Sequence, residues 1–259
     1  MWKIALCQLD ITFGDPDANF KRVRQALSEA AEKGASVAVL PEMWNTGYAL
    51  SELESLADKH GERTKKFLSE MAAEHKLTII GGSVSAKIDG KFSNIMYAFD
   101  EHGDFLSSYK KVHLFKLMEE HLFLEAGNDT NLFILGERKA AGFICYDLRF
   151  PEWFRHHAAR GAEVLFVAAE WPAVRIDAWK KLAVARAIEN QAFIVAVNRV
   201  GKDPKNVFGG HSLVVNPHGE ILFEADDTEG NFYVSIDPSE VKQVRSEIPV
   251  LDDRRPELY

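Results

Sequence analysis

Two kinds of apolar pattern alternate along this chain of 259 residues. Short unbroken apolar runs recur, among them Ile4-Ala5-Leu6-Cys7, Val37-Ala38-Val39-Leu40, Ala140-Ala141-Gly142-Phe143-Ile144-Cys145 and Val164-Leu165-Phe166-Val167-Ala168-Ala169. Runs of this length, bounded by charged or turn residues, predict buried strands. Between them lie stretches of helical spacing. Phe20, Val23, Leu27, Ala30 and Ala31 share one face, and so do Ile176, Trp179, Ala183, Ala187 and Asn190. The pattern predicts helices at 17–33, 61–75, 151–161 and 175–190. It predicts strands at 2–10, 36–41, 77–85, 91–99, 104–108, 131–135, 139–145, 163–168, 192–199, 207–216, 219–224 and 230–236. Asp89-Gly90, His102-Gly103 and Pro217-His218-Gly219 mark turns. Early and late βα segments flanking meanders imply an α/β fold with two mixed sheets. No repeat, low-complexity segment or linker interrupts it, so 1–259 is expected to form a single domain.

Three strands end abruptly in residues that can do chemistry. The run ending in Cys145 gives way to Tyr146-Asp147-Leu148-Arg149-Phe150-Pro151-Glu152, where Pro151 and Glu152 suit the first turn of a helix. A tight strand-to-helix turn pushes a thiol out of its sheet and aims backbone N–H groups at whatever it attacks, a setting expected to favour thiolate. Cys7 lies inside its strand and reads as an inert small hydrophobe. The second strand ends in Leu40-Pro41-Glu42, followed by the turn-rich Met43-Trp44-Asn45-Thr46-Gly47-Tyr48. The third leads into Tyr109-Lys110-Lys111-Val112-His113-Leu114-Phe115. Taken singly, a strand-end glutamate or paired lysines are ordinary surface charge, and a cysteine in an apolar strand is ordinary core.

Together the three segments resemble the nitrilase superfamily of carbon–nitrogen hydrolases, whose Glu–Lys–Cys triad has this chain order. The likeness continues through Ala185-Arg186-Ala187-Ile188-Glu189-Asn190-Gln191, Gly210-His211-Ser212-Leu213-Val214-Val215-Asn216-Pro217-His218-Gly219 and the tail Asp252-Asp253-Arg254-Arg255-Pro256-Glu257-Leu258-Tyr259. It is nearest to the omega-amidase branch, because Tyr146 follows the cysteine where nitrilases and N-carbamoyl amino acid amidohydrolases typically carry Trp. That branch has a second glutamate in a loop between the Lys and Cys segments, here Glu120-His121 with Ala126-Gly127 after it. The chain departs from the branch at Leu122-Phe123-Leu124, where a polar stretch is expected. The resemblance implies a four-layer α-β-β-α sandwich that dimerises through helices, and it implies no metal or organic cofactor.

Amide hydrolysis needs a nucleophile, a base, a cation or donors for the oxyanion, and an acid for the leaving ammonia. Cys145 is the expected nucleophile, forming a thioester. Glu42 is the expected base and passes the proton on to ammonia. Lys111 and the Tyr146 N–H hold the oxyanion, and Lys111 keeps the glutamates ionised. Glu120 orients Lys111 or the amide. The substrate class is a small carboxylated amide such as alpha-ketoglutaramate. Arg175, in a loop after a strand, is the expected carboxylate ligand ahead of Arg149 and Arg199. Trp44, Tyr48, Phe123 and Trp171 are expected to wall the pocket, with His121 beside it. The rivals are an amidase or nitrilase of other substrate, a papain-like dyad of Cys145 with His113 or His121, and a non-catalytic scaffold.

Composition narrows the partners. The net charge of −8 and the lack of a basic cluster exclude nucleic acid and acidic membranes. Two cysteines at unrelated positions make neither a disulfide framework nor a zinc pattern. No apolar run approaches the ~20 residues of a membrane span, and no h-region precedes the first strand. A reducing cytoplasm is the expected compartment.

Overall fold

A computed structural model describes residues 1–258, so Tyr259, the end of the matching tail, lies outside the described residues. Two mixed sheets carry the molecule. The larger runs in the order Gly230–Ile236, Trp2–Gln8, Val37–Val39, Thr78–Ile80, Lys91–Phe99, Val84–Ile88, Asp58–Lys59, with Phe105–Lys110 also paired to Lys91–Phe99. The smaller runs Ile221–Glu224, Leu213–Val215, Phe193–Asn198, Val164–Ala169, Arg138–Ile144, Leu132–Leu135. Its central strands, Phe193–Asn198, Val164–Ala169 and Arg138–Ile144, are parallel. Residues of Val164–Ala169 and Phe193–Asn198 are buried throughout, which is why they read as unbroken apolar runs.

Period-two alternation builds the layers. Ile4 and Leu6 enter the core shared with Phe143, Leu165 and Val195 of the other sheet. Ala5 and Cys7 point away from it, towards Val23, Leu27 and Met71 of helices Pro16–Glu32 and Glu62–His75. Helices Pro151–Ala158 and Ile176–Asn190 cover the smaller sheet with Phe154, Trp179 and Ala183. The α-β-β-α sandwich expected from the sequence is the observed architecture.

Two predicted strands divide. The stretch 77–85 breaks at Gly81-Gly82 into Thr78–Ile80 and Val84–Ile88. Gly82 has φ +58°, and a Cβ there would strike the Leu40 and Pro41 carbonyls, so the glycine lets the chain pack against the corner that presents Glu42. The stretch 207–216 breaks at Gly210 and His211, both at positive φ, and Val207–Gly209 joins Val200–Lys202 in a separate ribbon. The strand predicted at 104–108 extends to Lys110 and stops one residue short of Lys111. Helix Glu240–Glu247 escaped prediction because it buries only Val241 and Val244.

Candidate active site

The ends of three strands from two sheets meet at Glu42, Lys111 and Cys145. Glu42 follows Val37–Val39, Lys111 follows Phe105–Lys110, and Cys145 follows Arg138–Ile144. Cys145 takes φ +46°, a left-handed conformation that costs a non-glycine residue about 1 kcal/mol or more and turns its side chain out of the strand. Asp147 holds this turn: its Oδ2 accepts from the Ile144 N–H at 2.9 Å and the Tyr109 hydroxyl at 2.7 Å. Arg186, from helix Ile176–Asn190, donates through Nε to the Leu148 carbonyl at 3.0 Å. The same Asp147 accepts from His113 Nδ1 at 2.7 Å. Tyr109 and His113 flank Lys111, so one carboxylate ties the cysteine turn to the lysine segment.

Glu42, Lys111 and Glu120 are fully buried, and Cys145 is 5% exposed. Lys111 Nζ donates to Glu42 Oε1 at 2.8 Å and to Glu120 Oε1 at 2.7 Å. An ammonium has three protons, so one is left for a substrate oxygen. Glu42 Oε1 also accepts from Tyr48 at 2.9 Å and from Asn94 Nδ2 at 2.8 Å, while its Oε2 accepts from the Glu170 N–H at 2.9 Å. Glu120 Oε1 is hydrogen-bonded to the Tyr48 hydroxyl, and its Oε2 accepts from the Phe115 N–H at 2.8 Å. Burial opposes charge on Lys111, but Glu120 and Glu42 outweigh it and hold the ammonium well above its ordinary range.

Two electrostatic expectations change here. Burial, then the charge of Glu42, pushes the Cys145 thiol well above its usual value, and the opposing pull of Lys111 does not offset them. The resting sulfur is therefore a thiol, not the expected thiolate. Glu120 is likewise raised, by burial first, so Lys111 does not offset the desolvation of this carboxyl.

A cleft beside the sulfur is lined by Cys145, Tyr146, Arg149, Glu170, Trp171 and Arg175, with Phe115 and Pro172 as apolar walls. Arg149 stacks on Trp171 at 4.9 Å and Arg175 on Phe115 at 5.9 Å, and among the described residues neither has an acidic partner. Arg199 differs: it is fully buried, with Asp10 and Glu170 each at 3.3 Å. Trp44 does not wall the cleft; it is buried in the core against Phe20 and Phe67, its Nε1 donating to the Gly81 carbonyl at 2.8 Å. The loop folds it inward because Gly81 offers the indole a partner there. Tyr48 belongs to the carboxylate network, and with Phe123 it also lines a neighbouring hollow. His121 is exposed on the short helix Glu120–Phe123, and His113 is engaged with Asp147, so neither supplies the dyad of the papain-like reading. Asn94 and Glu170 were missed. Asn94 is a polar residue inside an otherwise ordinary strand, but Glu170 carries a signal, since it ends an apolar run two residues before Pro172.

This fold, with a buried Glu–Lys–Glu cluster beside a turn-borne cysteine, is that of a hydrolase. The sequence model of the carbon-nitrogen hydrolase family matches residues 3–246, and the chain belongs to that family within the nitrilase superfamily. It is an amide-hydrolysing enzyme. It is 46% identical to the 2-oxoglutaramate amidase of Bacillus subtilis, over 100% of this chain and 99% of that protein. It is 34% identical to human omega-amidase NIT2, over 100% of this chain and 96% of that protein. Among solved structures it is similar to a carbon-nitrogen hydrolase from Helicobacter pylori G27, with TM-score 0.92, 26% identity and coverage of 100% and 96%. It is also similar to a cysteine-to-alanine mutant of the amidase from Nesterenkonia sp. AN1 in complex with butyramide, with TM-score 0.88, 28% identity and coverage of 99% and 95%.

Proposed function

We propose that this enzyme hydrolyses the terminal amide of a short 2-oxo dicarboxylate monoamide, 2-oxoglutaramate (alpha-ketoglutaramate) foremost, to the dicarboxylate and ammonia. The observation that carries this reading is the pair of arginines in the cysteine cleft, Arg149 and Arg175, which have no acidic partner among the described residues. The likeness to an amidase named for 2-oxoglutaramate supports it. A guanidinium fork on the remote carboxylate fixes the amide carbon over the sulfur. Glu42 takes the thiol proton as Cys145 attacks. The free Lys111 proton and the Tyr146 N–H receive the oxyanion. Ammonia departs, and water hydrolyses the thioester. Glu120, itself hydrogen-bonded to Tyr48, holds Lys111 in place.

Arg175→Ala is expected to lower kcat/KM strongly for the carboxylated amide and to leave an uncharged amide of equal length nearly unchanged. Arg175→Lys, which keeps the charge but loses the fork, already impairs the first. Equal losses on both substrates would move the carboxylate site away from Arg175. The reading extends to a homodimer and to a reducing cytoplasm, where two free cysteines persist; sedimentation and fractionation test these.

A further inference from the structure

We propose that Tyr48 determines the leaving group: its ring closes the side of the site from which the amide nitrogen departs and so holds the enzyme to primary amides. The hollow that Tyr48 also lines is the space a nitrogen substituent would take once the ring is removed. This role rests on amide hydrolysis at Cys145, with Glu42 carrying the proton, and not on the 2-oxo carboxylate.

The residues already described set the directions around the attacked carbon. The sulfur approaches from Cys145, the oxygen turns to Lys111 and the Tyr146 N–H, and the acyl chain lies in the cleft of Arg149, Trp171 and Arg175. The nitrogen is left to face Glu42, which gives it a proton as the C–N bond breaks. Tyr48 stands there, its hydroxyl 2.9 Å from Glu42 Oε1 and also hydrogen-bonded to Glu120 Oε1. The rest of the side chain is held as well. Tyr48 is buried in a small cluster with Met43, Leu50, Leu53 and Leu124, so the ring is a fixed wall rather than a mobile one.

Tyr48 also lines a hollow of about 500 Å³ with Phe13, Leu50, Met118 and Phe123. An alkyl group of a few carbons fits there easily, since a single water takes roughly 30 Å³. Glu119, next to Glu120, and Phe123, on its short helix, line the hollow while Glu120 itself meets Lys111, so the hollow runs behind the same carboxyls. Its walls are apolar, and Lys205 at its rim is 3.5 Å from Glu119. An uncharged alkyl substituent suits such a space. One side chain therefore separates the leaving-group position from the hollow. In an N-alkyl amide the bonds made and broken are unchanged, and an amine leaves with the Glu42 proton in place of ammonia.

Butyramide and 2-oxoglutaramate, each paired with its N-propyl derivative, test the wall. In the wild type, kcat/KM for the N-propyl amide is expected to be lower than for the primary amide by about 100-fold or more. Tyr48→Ala should raise the ratio of N-propyl to primary amide by at least about tenfold, even where the primary amide itself slows. Tyr48→Phe loses the hydroxyl but keeps the ring, so it should slow the primary amide and leave the ratio at the wild-type value. Comparable wild-type rates on both amides, an unchanged ratio in Tyr48→Ala, or an equal rise in Tyr48→Phe would overturn the role. Should Tyr48→Ala turn over neither amide, acyl acceptors decide it in the wild type, because an amine attacking the thioester enters where ammonia leaves. Hydroxylamine should then capture the acyl group and N-butylhydroxylamine should not; equal capture would overturn the role. A wild type that hydrolyses butyramide but not 2-oxoglutaramate would strike the proposed substrate and leave this test standing.

Discussion

The two cysteines of this chain share nearly every property read from composition and differ in the one that matters. Both are free and buried, and burial pushes both thiols upward, Cys7 to about 12. Cys7 sits mid-strand, among residues of the sheet and helix layer. Cys145 sits one residue beyond a strand, at φ +46°, where the charges of Glu42, Lys111 and Glu120 all act on its sulfur. A raised thiol is inert where nothing can take its proton, and is a nucleophile where a carboxylate waits to do so. In the proposed mechanism, reactivity comes from the strand end, not from a low resting pKa.

The sharpest way to break this comparison is to truncate each thiol. Cys145→Ala is expected to abolish ammonia release with the fold intact by circular dichroism. Cys7→Ala should keep turnover within about twofold and lose about 1 kcal/mol of stability from the small void it leaves. Turnover surviving in Cys145→Ala would end the covalent reading.

The next largest effects belong to the charges around the sulfur. Lys111→Ala and Glu42→Gln should each lower kcat/KM by orders of magnitude, and the double variant should be far from additive, because the groups act as a unit. Lys111→Ala also leaves two buried carboxyls without their cation and should cost ~3–5 kcal/mol, read as a lower Tm. A loss in rate below about tenfold, or ~1.4 kcal/mol, would remove Lys111 from the oxyanion site.

Such strand-end residues are what the sequence made legible. Glu42, Lys111 and Cys145 each follow a run whose apolar pattern stops, and a stop is visible in one dimension. Glu170 stops a run in the same way, after Val164–Ala169, and so carries the same one-dimensional signal. Trp44 and Tyr48 show the limit. Both lie in one loop, and whether an aromatic faces the cleft or the core depends on which backbone carbonyl or carboxyl meets its polar atom across the fold. The splits at Gly81-Gly82 and Gly210-His211 are of the same kind, since pairing partners distant in sequence decide where a strand must turn.

A subtler contrast concerns titration. Glu42 is among the causes that raise Cys145 and is not among those that raise Cys7. Glu42→Gln should therefore shift the midpoint of Cys145 alkylation by iodoacetamide to lower pH while reducing turnover, and leave Cys7 labelling, which requires opening of the core, unmoved. The sign follows from removing a negative charge beside an acid. An unmoved or raised midpoint at Cys145 would show that the sulfur does not feel that carboxylate.

The smallest effect is a reversal of sign between the two sites. Alanine and glycine differ by a Cβ and by backbone freedom. At Cys7, in a strand interior, glycine is expected to be less stable than alanine by roughly 0.5–1 kcal/mol, because the extended backbone there gains nothing from glycine's extra freedom. At Cys145 the backbone is left-handed, where a Cβ is strained and glycine is not. Cys145→Gly should therefore be more stable than Cys145→Ala by about 1 kcal/mol. Urea denaturation of the four variants measures both differences with the chemistry already gone from the Cys145 pair. If glycine is the weaker residue at both positions, the turn bearing Cys145 stores no backbone strain, and the outward aim of the thiol must come from Asp147 and Arg186 alone.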